Sequence, residues 1–248
     1  MKSIVVLLHT FLVRFLLFFI CIPLIPVVLV ASCLSPFNRF SSTFLFKIID
    51  FFYTVVLRCL LIPITYKWIS KIPNEPAIII ANHQSSLDIV LIGIVFKGSP
   101  HIWLARSELM DTFLLRWILA IFAQVIDVHN ARTTAVTLRK VITLASQTNA
   151  HIVLFPEGSR SSTGKLQPFF DGYILLAKKL KRPVVPIYIH NLCNVYPRGS
   201  FFIKRVPVDV TVGPAFFLSD YNEDQQFKKT IQDWFAAKVT NASTKNAE

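Results

Sequence analysis

Glycine and acidic residues are scarce in this chain, which has 7 glycines and 14 Asp and Glu residues among its 248. The few glycines form neither a G-x-G-x-x-G fingerprint nor a Walker A loop, so a nucleotide-binding function is not indicated. Charged residues make up only 16% of the sequence, although an excess of Lys and Arg brings the formal net charge to +12. A nucleic-acid-binding protein would carry more charge overall, so nucleic acid is not an expected partner.

Cysteine is also rare, and none of the cysteines forms a C-x-x-C pair. The four residues are Cys21, Cys33, Cys59 and Cys193. Three of them lie in apolar N-terminal segments, where cysteine behaves as a small hydrophobic residue. This pattern predicts a reducing compartment, without disulfides and without a zinc site built on cysteine.

Hydrophobic residues, by contrast, form 53% of the sequence, and 22 residues are phenylalanine. Combined with the basic excess, this composition predicts a protein at an anionic membrane surface, where each nearby Lys or Arg contributes about 1 kcal/mol. Residues 15–34 carry no formal charge. A helix of that length spans about 30 Å, which is enough to cross the bilayer core.

The topology of this N-terminal region stays open at the level of sequence. Basic residues stand on both sides of residues 15–34, so the positive-inside rule does not orient them, and Pro23 and Pro26 would permit a kink or a membrane-embedded hairpin. Residues 30–33 resemble a lipoprotein cleavage site, but the apolar run is too long for the core of a signal peptide. Residues 44–68 predict an amphipathic helix at the interface, with a buried helix of the globular part as the alternative.

Strands and helices alternate after residue 70. The predicted strands are 77–81, 102–105, 124–128, 152–155, 184–190 and 208–212, and the predicted helices are 86–96, 108–121, 131–146, 170–181 and 223–239. Such alternation predicts an α/β fold with a largely parallel or mixed sheet that is covered by helices on both faces. The expected organisation is a membrane anchor at 1–70, a globular domain at 71–240 and a polar tail at 241–248.

The first candidate site is the segment 82–88, which reads NHQSSLD and stands between an apolar strand and an apolar helix. Open α/β sheets bind ligands at the carboxyl ends of strands. His83 has the side chain best suited to act as a general base near neutral pH, and Asp88 can reach back to fix the protonated nitrogen. Alternatively, His83 caps the helix or lies in the core, and Asp88 is a favourable first-turn charge. Ser85 and Ser86 are the N-cap candidates of the helix.

The second candidate site is the segment 155–161, which reads FPEGSRS and again follows an apolar strand. Its glycine would let the backbone approach a ligand closely, and its arginine is suited to a bidentate grip on phosphate. An ordinary polar turn is the alternative, but a carboxylate and an arginine at a strand end are typical of a binding site. The predicted substrate-binding residues of this region are Glu157, Gly158, Ser159, Arg160 and Lys165.

Together, these two segments resemble the glycerolipid acyltransferases, and most closely the 1-acyl-sn-glycerol-3-phosphate acyltransferase family. The resemblance extends over residues 68–218, and Val185-Pro186-Ile187 matches the family's later Val-Pro element. It implies that His83 deprotonates a glycerol hydroxyl, which attacks a fatty acyl thioester of coenzyme A or acyl carrier protein. It further implies that Asp88 holds the tautomer.

The resemblance also implies partners and a location. The acceptor would be a membrane lysophospholipid, most simply 1-acyl-sn-glycerol 3-phosphate, and neither a metal nor a cofactor beyond the thioester donor would be needed. Because that donor is water-soluble and intracellular, the catalytic domain of this membrane protein is expected to face the cytosol.

Other functions use the same residues. The acceptor could be a different lysolipid in membrane remodelling, or the protein could be a catalytically silent lipid-binding relative. A hydrolase with Ser85 or Ser86 as nucleophile lacks the G-x-S-x-G elbow. A metal site of His83, Asp88 and Glu157 lacks the spacing of known zinc helices.

Departures from the family pattern concern acceptor binding. The family's second block usually has a lysine before a Glu-Leu pair and ends in Ile-Asp-Arg, whereas this chain has Arg106 near the start of the block and Val128 at its end. Arg106 supplies a charge, but Val128 cannot bind phosphate. Arg132 is expected to replace that cation, unless it is a solvated helix residue. Asp171 also stands where relatives commonly have a basic residue, so the acceptor head group stays open.

Overall fold

The computed structural model of the protein describes residues 2–106, 121–126, 131–161 and 163–245. Its α-helices are α1 (Lys2–Cys33), α2 (Pro36–Ser41), α3 (Thr43–Cys59), α4 (Asp88–Gly93), α5 (Ala131–Gln147), α6 (Gly172–Leu180), α7 (Leu192–Val195) and α8 (Asp224–Lys245). Its strands are β1 (Ile64–Trp68), β2 (Ile78–Ala81), β3 (His101–Arg106), β4 (Ala123–Ile126), β5 (His151–Leu154), β6 (Val184–His190) and β7 (Val208–Val212).

These strands form one mixed sheet in the order β1-β7-β6-β2-β5-β3-β4. All neighbouring pairs are parallel except β6 and β7, which are antiparallel. The predicted α/β fold with a largely parallel or mixed sheet is therefore confirmed. Strand β2 lies between β5 and β6, so its carboxyl end, which leads into the NHQSSLD segment, opens at the middle of the sheet.

Both faces of the sheet are covered, as the continuous apolar character of its central strands requires. Ile78 and Ile80 of β2 belong to the apolar cluster that includes Tyr173 of α6 and Phe227 of α8. Ile79, which points the other way, belongs to the cluster on the opposite face with Leu91 of α4. The alternation of neighbouring side chains thus places α4 and the C-terminal helices on opposite faces.

The predicted interfacial helix over residues 44–68 is wrong in its last third. Helix α3 ends at Cys59, Leu61 has a positive φ of 53°, and Ile64–Trp68 forms strand β1. Pro63 has no amide hydrogen to continue a helix, and the strand that follows pairs in parallel with β7 at the edge of the sheet. The sheet therefore begins within the region that was assigned to the membrane anchor.

Other boundaries shift by smaller amounts. The last helix continues to Lys245, so most of the expected polar tail at 241–248 is helical, because no glycine or proline stops the helix there. Strand β4 ends at Ile126 within the described residues. The predicted helix 108–121, apart from its last residue, lies outside the described residues, as do Asp127 and Val128.

Helix α1 is longer than the helix predicted from the uncharged residues 15–34. Within the stretch Ser3–Cys33, the most apolar 18-residue window has a mean hydropathy of 2.8, and 11% of that window is buried. Among the described residues this is the one helix long and apolar enough to cross a membrane. The helix continues through Pro23 and Pro26, so residues 2–33 form one continuous helix. Its insertion into a bilayer, and the division into anchor and domain, stay predictions.

A buried arginine in α2 joins the N-terminal helices to the sheet. Arg39 donates from Nε to the carbonyl of Ala31 (2.9 Å) and from Nη2 to that of Leu34 (2.9 Å), at the end of α1. Carbonyls in the last turn of a helix have no partner within the helix. The Nη1 atom of Arg39 donates to the carbonyl of Ile121 (2.6 Å), just before β4. One guanidinium therefore holds α1 against the edge of the sheet.

We expect the substitution Arg39→Met to destabilise the protein. Methionine fills similar space but leaves these carbonyls without a donor, which should lower the free energy of unfolding by about 2 kcal/mol. For a chain of this size that corresponds to a Tm lower by about 4–8 °C, measured by thermal unfolding in detergent micelles. Arg58→Met, at an exposed position of α3, is the control, and equal Tm values for the two variants would contradict the prediction.

Candidate active site

The NHQSSLD segment lies where β2 turns into α4. Nδ1 of His83 is 2.6 Å from Oδ2 of Asp88, so the carboxylate accepts the Nδ1 proton and selects the tautomer whose Nε2 is a free acceptor. The imidazole stacks on the ring of Phe155, with centroids 3.8 Å apart and planes 9° apart. The structure thus brings together the two residues predicted to be catalytic, in an arrangement suited to a general base.

Asp88 is fully buried, and its Oδ2 atom accepts two further hydrogen bonds, from the N–H groups of Gln84 (2.7 Å) and Ser85 (2.8 Å). Donors that converge on a carboxylate offset the cost of burying its charge. The prediction that Ser85 or Ser86 caps the helix is wrong, because α4 begins at Asp88 and Leu87 holds the N-cap position without a side-chain bond. The Asp88 carboxylate instead binds the amides that precede the helix.

Asn82 attaches the histidine turn to the neighbouring strand. Its Nδ2 donates to the carbonyl of Ile189 (2.8 Å) and its Oδ1 accepts from the N–H of the same residue (2.7 Å). This side chain therefore continues the pairing between β2 and β6 by one residue. His83 is the next residue, so the bonds of Asn82 to Ile189 also fix the main-chain position of His83.

The second segment is joined to the first through Glu157. Oε1 of Glu157 accepts from the N–H of His83 (3.0 Å), and Oε2 accepts from the N–H of Gln167 (2.9 Å). Burial raises the pKa of Glu157 to about 7, and the two backbone donors partly oppose that rise. The carboxylate thus braces two loops, whereas its predicted contact with substrate stays a prediction.

Three neighbours of Glu157 line a cavity beside the imidazole. Gly158 has a φ of +70°, in the region that favours glycine. Ser159 donates from its hydroxyl to Oε1 of Gln167 (3.0 Å). Arg160 is half-buried and forms no hydrogen bond or ion pair with the described part of the chain. Arg160 therefore adds a cation to the lining of the cavity.

The cavity has a volume of about 620 Å³, which lies within the usual range of about 300–1,000 Å³ for small-molecule sites. Its polar lining consists of His83, Ser86, Ser159, Arg160 and Arg198 together with the Gly158 main chain and the Tyr53 side chain. Its apolar lining comes from α1, α3, α4 and strands β3 and β4, and includes Leu24, Val28, Ile49, Phe52, Val56, Ile89, Val90, Trp103 and Phe122. A charged head and an apolar tail would both find matching surfaces here.

The basic residues that were predicted to bind substrate do not all lie at the cavity. Lys165 and Arg132 are exposed and are not brought to the cavity, because one lies beyond the turn at Gly164 and the other in the first turn of α5, outside strand β4. The main chain of Arg106 ends β3, but its side chain lies outside the described residues. Arg198 does line the cavity, although no motif in the sequence pointed to it.

The rival chemistries find little support in these contacts. The hydroxyl of Ser85 donates to the carbonyl of Tyr196 (2.9 Å), and within the described ranges neither Ser85 nor Ser86 is hydrogen-bonded to the His83 ring. A serine nucleophile would need that bond. Among the described residues, no group of three or more His, Cys, Asp or Glu side chains is arranged to hold a metal ion.

Two other histidines occupy buried structural positions. His101 and His151 lie buried at the starts of β3 and β5, and burial lowers the pKa of His101 to about 3 and that of His151 to about 4. His190 ends β6. His129 lies outside the described residues.

Comparison with known proteins gives concordant results. A family model described as acyltransferase matches residues 63–190. The 1-acyl-sn-glycerol-3-phosphate acyltransferase of Cocos nucifera is 30% identical over 166 residues, covering 66% of this chain and 53% of that protein. The Saccharomyces cerevisiae protein of the same name is 32% identical over 163 residues, covering 62% and 54%. The chain thus spans little more than half the length of these curated relatives.

One solved structure shares the fold along nearly the whole chain. The crystal structure of the 1-acyl-sn-glycerophosphate acyltransferase from Thermotoga maritima covers 97% of this chain and 97% of its own, with a TM-score of 0.77 and 22% sequence identity. At that identity the likeness shows the fold, including the N-terminal helices.

The raised pKa of Glu157 predicts an unusual dependence of stability on pH. Because the folded-state pKa is about 7 against an ordinary 4.5, this carboxyl contributes stability that is fully present below about pH 4.5 and is lost as the pH rises through about 7. Glutamine does not titrate. The difference in free energy of unfolding between the wild type and Glu157→Gln should therefore fall as the pH is raised from about 5 to about 8.

Chemical denaturation in detergent across that pH range measures the effect. Glu75→Gln, at an exposed position, should show no such trend. A difference between wild type and Glu157→Gln that stays constant with pH would contradict the raised pKa.

Proposed function

Because the chain belongs to the acyltransferase family, we propose that it transfers a fatty acyl group from an acyl thioester to the free hydroxyl of 1-acyl-sn-glycerol 3-phosphate, giving phosphatidic acid. The observation that carries this proposal is the His83–Asp88 pair at a cavity with both apolar and cationic walls. Curated relatives that bear the name of this activity support it.

The proposed reaction begins with proton removal by His83. Asp88 occupies Nδ1, so Nε2 is the nitrogen that takes the proton of the acceptor hydroxyl. The hydroxyl oxygen attacks the thioester carbonyl and forms a tetrahedral intermediate. When the carbon–sulfur bond breaks, the imidazolium returns the proton to the departing thiolate, and the ester is formed. The Asp88 carboxylate stabilises the imidazolium between these two steps.

The apolar part of the cavity suits a fatty acyl chain. Its walls include Leu24 and Val28 of α1 and Phe52 and Val56 of α3. Since α1 is also the candidate membrane helix, an acyl chain between these helices would pass from the bilayer to the imidazole without crossing water. Acyl-CoA and acyl carrier protein thioesters both fit this scheme, with the water-soluble donor reaching a catalytic face in the cytosol.

No cofactor or metal takes part in the proposed scheme, because each step is a proton transfer or an acyl transfer that a histidine and its aspartate can support. The acceptor phosphate would be bound by Arg160, whose guanidinium is available in the cavity. Arginine suits this role because its planar fork matches phosphate oxygens.

We expect His83→Ala and Asp88→Asn each to lower the rate of acyl transfer by at least about 10²-fold, since the first removes the base and the second the partner that selects its tautomer. The rate is measured as phosphatidic acid formed from labelled acyl-CoA in membranes. Asp220→Asn, an exposed carboxylate, is the control. Activity near that of the wild type in either site variant, with normal protein levels, would refute the mechanism.

Arg160→Ala should raise the apparent KM for 1-acyl-sn-glycerol 3-phosphate by about tenfold with little change in kcat, as expected when one charge-assisted contact to bound substrate is lost. Steady-state kinetics at saturating donor measure this. Lys165→Ala, a cation of the same loop that does not line the cavity, is the matched control. An unchanged KM in Arg160→Ala would remove this residue from acceptor binding.

A survey of products by mass spectrometry separates the remaining functions. Purified membranes are offered several lysolipids with acyl-CoA and acyl carrier protein donors. Phosphatidic acid as the main product is the expected result. A different diacyl product would assign another lysolipid acceptor, release of free fatty acid alone would indicate a hydrolase, and no product would indicate a silent lipid-binding relative.

A further inference from the structure

Arg198 lines the same cavity as His83 and Arg160, and neither arginine forms a hydrogen bond or ion pair with the described residues. We infer that Arg198 is a second phosphate-binding residue, which acts with Arg160 to hold the phosphate of the acceptor lipid. This inference rests on the proposed function and names a residue that determines acceptor specificity.

The position of Arg198 is defined by a tight turn. The N–H of Ser200 donates to the carbonyl of Pro197 (3.1 Å), and Gly199 has a φ of +75°. A positive φ at the third residue of such a turn is typical of type II, in which glycine is preferred. Arg198 is the second residue of this turn and stands at its tip.

The segment that leads into this turn is attached to the histidine motif. Oε1 of Gln84 accepts from the N–H of Cys193 (3.2 Å), and the hydroxyl of Ser85 donates to the carbonyl of Tyr196 (2.9 Å). Gln84 and Ser85 are the two residues whose amides bind Asp88. The base and the turn that presents Arg198 are therefore built on the same few residues.

The segment after the turn is held by helix α1. Nη2 of Arg14 donates to the carbonyl of Phe201 (2.8 Å), and its guanidinium lies 4.3 Å from the centre of that ring. The N–H of Ile203 donates to the hydroxyl of Thr10 (3.0 Å). Contacts on both sides thus restrict the turn, so that Arg198 faces the cavity with its side chain still exposed to solvent.

The charge of the cavity favours an anion of high charge density. Among the described residues, no acidic side chain lines the cavity, and the cations that line it are Arg160 and Arg198. In 1-acyl-sn-glycerol 3-phosphate the reacting hydroxyl and the phosphate are carried by adjacent carbons. When the hydroxyl reaches Nε2 of His83, the phosphate must therefore lie within the same part of the cavity. Two arginines can share its oxygens as charge-assisted bonds.

Coenzyme A also carries phosphate groups, so the two arginines could in chemical terms bind a phosphate of either the acyl donor or the acceptor. We assign the acceptor because its phosphate is fixed close to the reacting hydroxyl, whereas the phosphates of coenzyme A are separated from the thioester by a long pantetheine arm. The experiment distinguishes these two sources.

Binding is measured with the His83→Ala protein in mixed micelles, so that no turnover occurs. The probes are 1-oleoyl-sn-glycerol 3-phosphate and 1-oleoylglycerol, which differ only in the phosphate. In this His83→Ala background, the further substitution Arg198→Ala should raise the Kd of the phosphorylated lipid by about tenfold, as expected when one charge-assisted contact is lost. The Kd of 1-oleoylglycerol should not change. Arg198→Lys should restore part of the affinity.

Arg205→Ala is the matched control, because Arg205 is exposed nearby but does not line the cavity. An unchanged Kd in Arg198→Ala, or equal weakening for both lipids, would overturn the inference. In a parallel kinetic test with active protein, a rise in KM for acyl-CoA alone would overturn the assignment to the acceptor. If the wild type forms no phosphatidic acid, the proposed function fails, while the binding measurements still decide the role of Arg198.

Discussion

The candidate active site depends on one buried oxygen atom. Oδ2 of Asp88 accepts the Nδ1 proton of His83 and the amide protons of Gln84 and Ser85. The bonds that fold the turn between β2 and α4 are thus made by the same atom that orients the imidazole. Asp88 has 0% exposure, and these three donors take the place of water at its Oδ2 atom. The folding of this turn therefore also orients the imidazole of His83.

This arrangement explains why the second segment has to meet the first. Glu157 accepts the amide of His83, and the N–H of Ser161 donates to the His83 carbonyl (2.8 Å). His83 is therefore held through both of its main-chain polar groups by a loop more than seventy residues later in the chain. The phosphate-binding candidate Arg160 lies within that loop. Hydrogen bonds to the backbone of His83 fix the position of the base relative to the loop that carries Arg160. A displacement of either loop would therefore displace the other.

What could be predicted from sequence was the part that local spacing determines. His83 and Asp88 are five residues apart, so their contact follows from one turn of the chain. In the same way, the alternation of strands and helices along the sequence predicts the sheet. Strand β1 was missed because Ile64–Trp68 becomes a strand by pairing with β7, far along the chain, rather than by its own pattern. Arg198 was missed for a similar reason: it lies outside both motifs, and only the folded chain places it at the cavity.

The N-terminal region is more than an anchor attached to a separate domain. Leu24 and Val28 of α1 form part of the cavity wall, Arg39 bonds to the main chain just before β4, and Ile64–Trp68 is a strand of the sheet. Helix α1 also bonds to the segment after the turn that carries Arg198. In the proposed function α1 would meet lipid on one side and the cavity on the other, and would thereby couple the position of the membrane to that of the site. The hydrophobic N-terminus is in any case a structural component of the cavity.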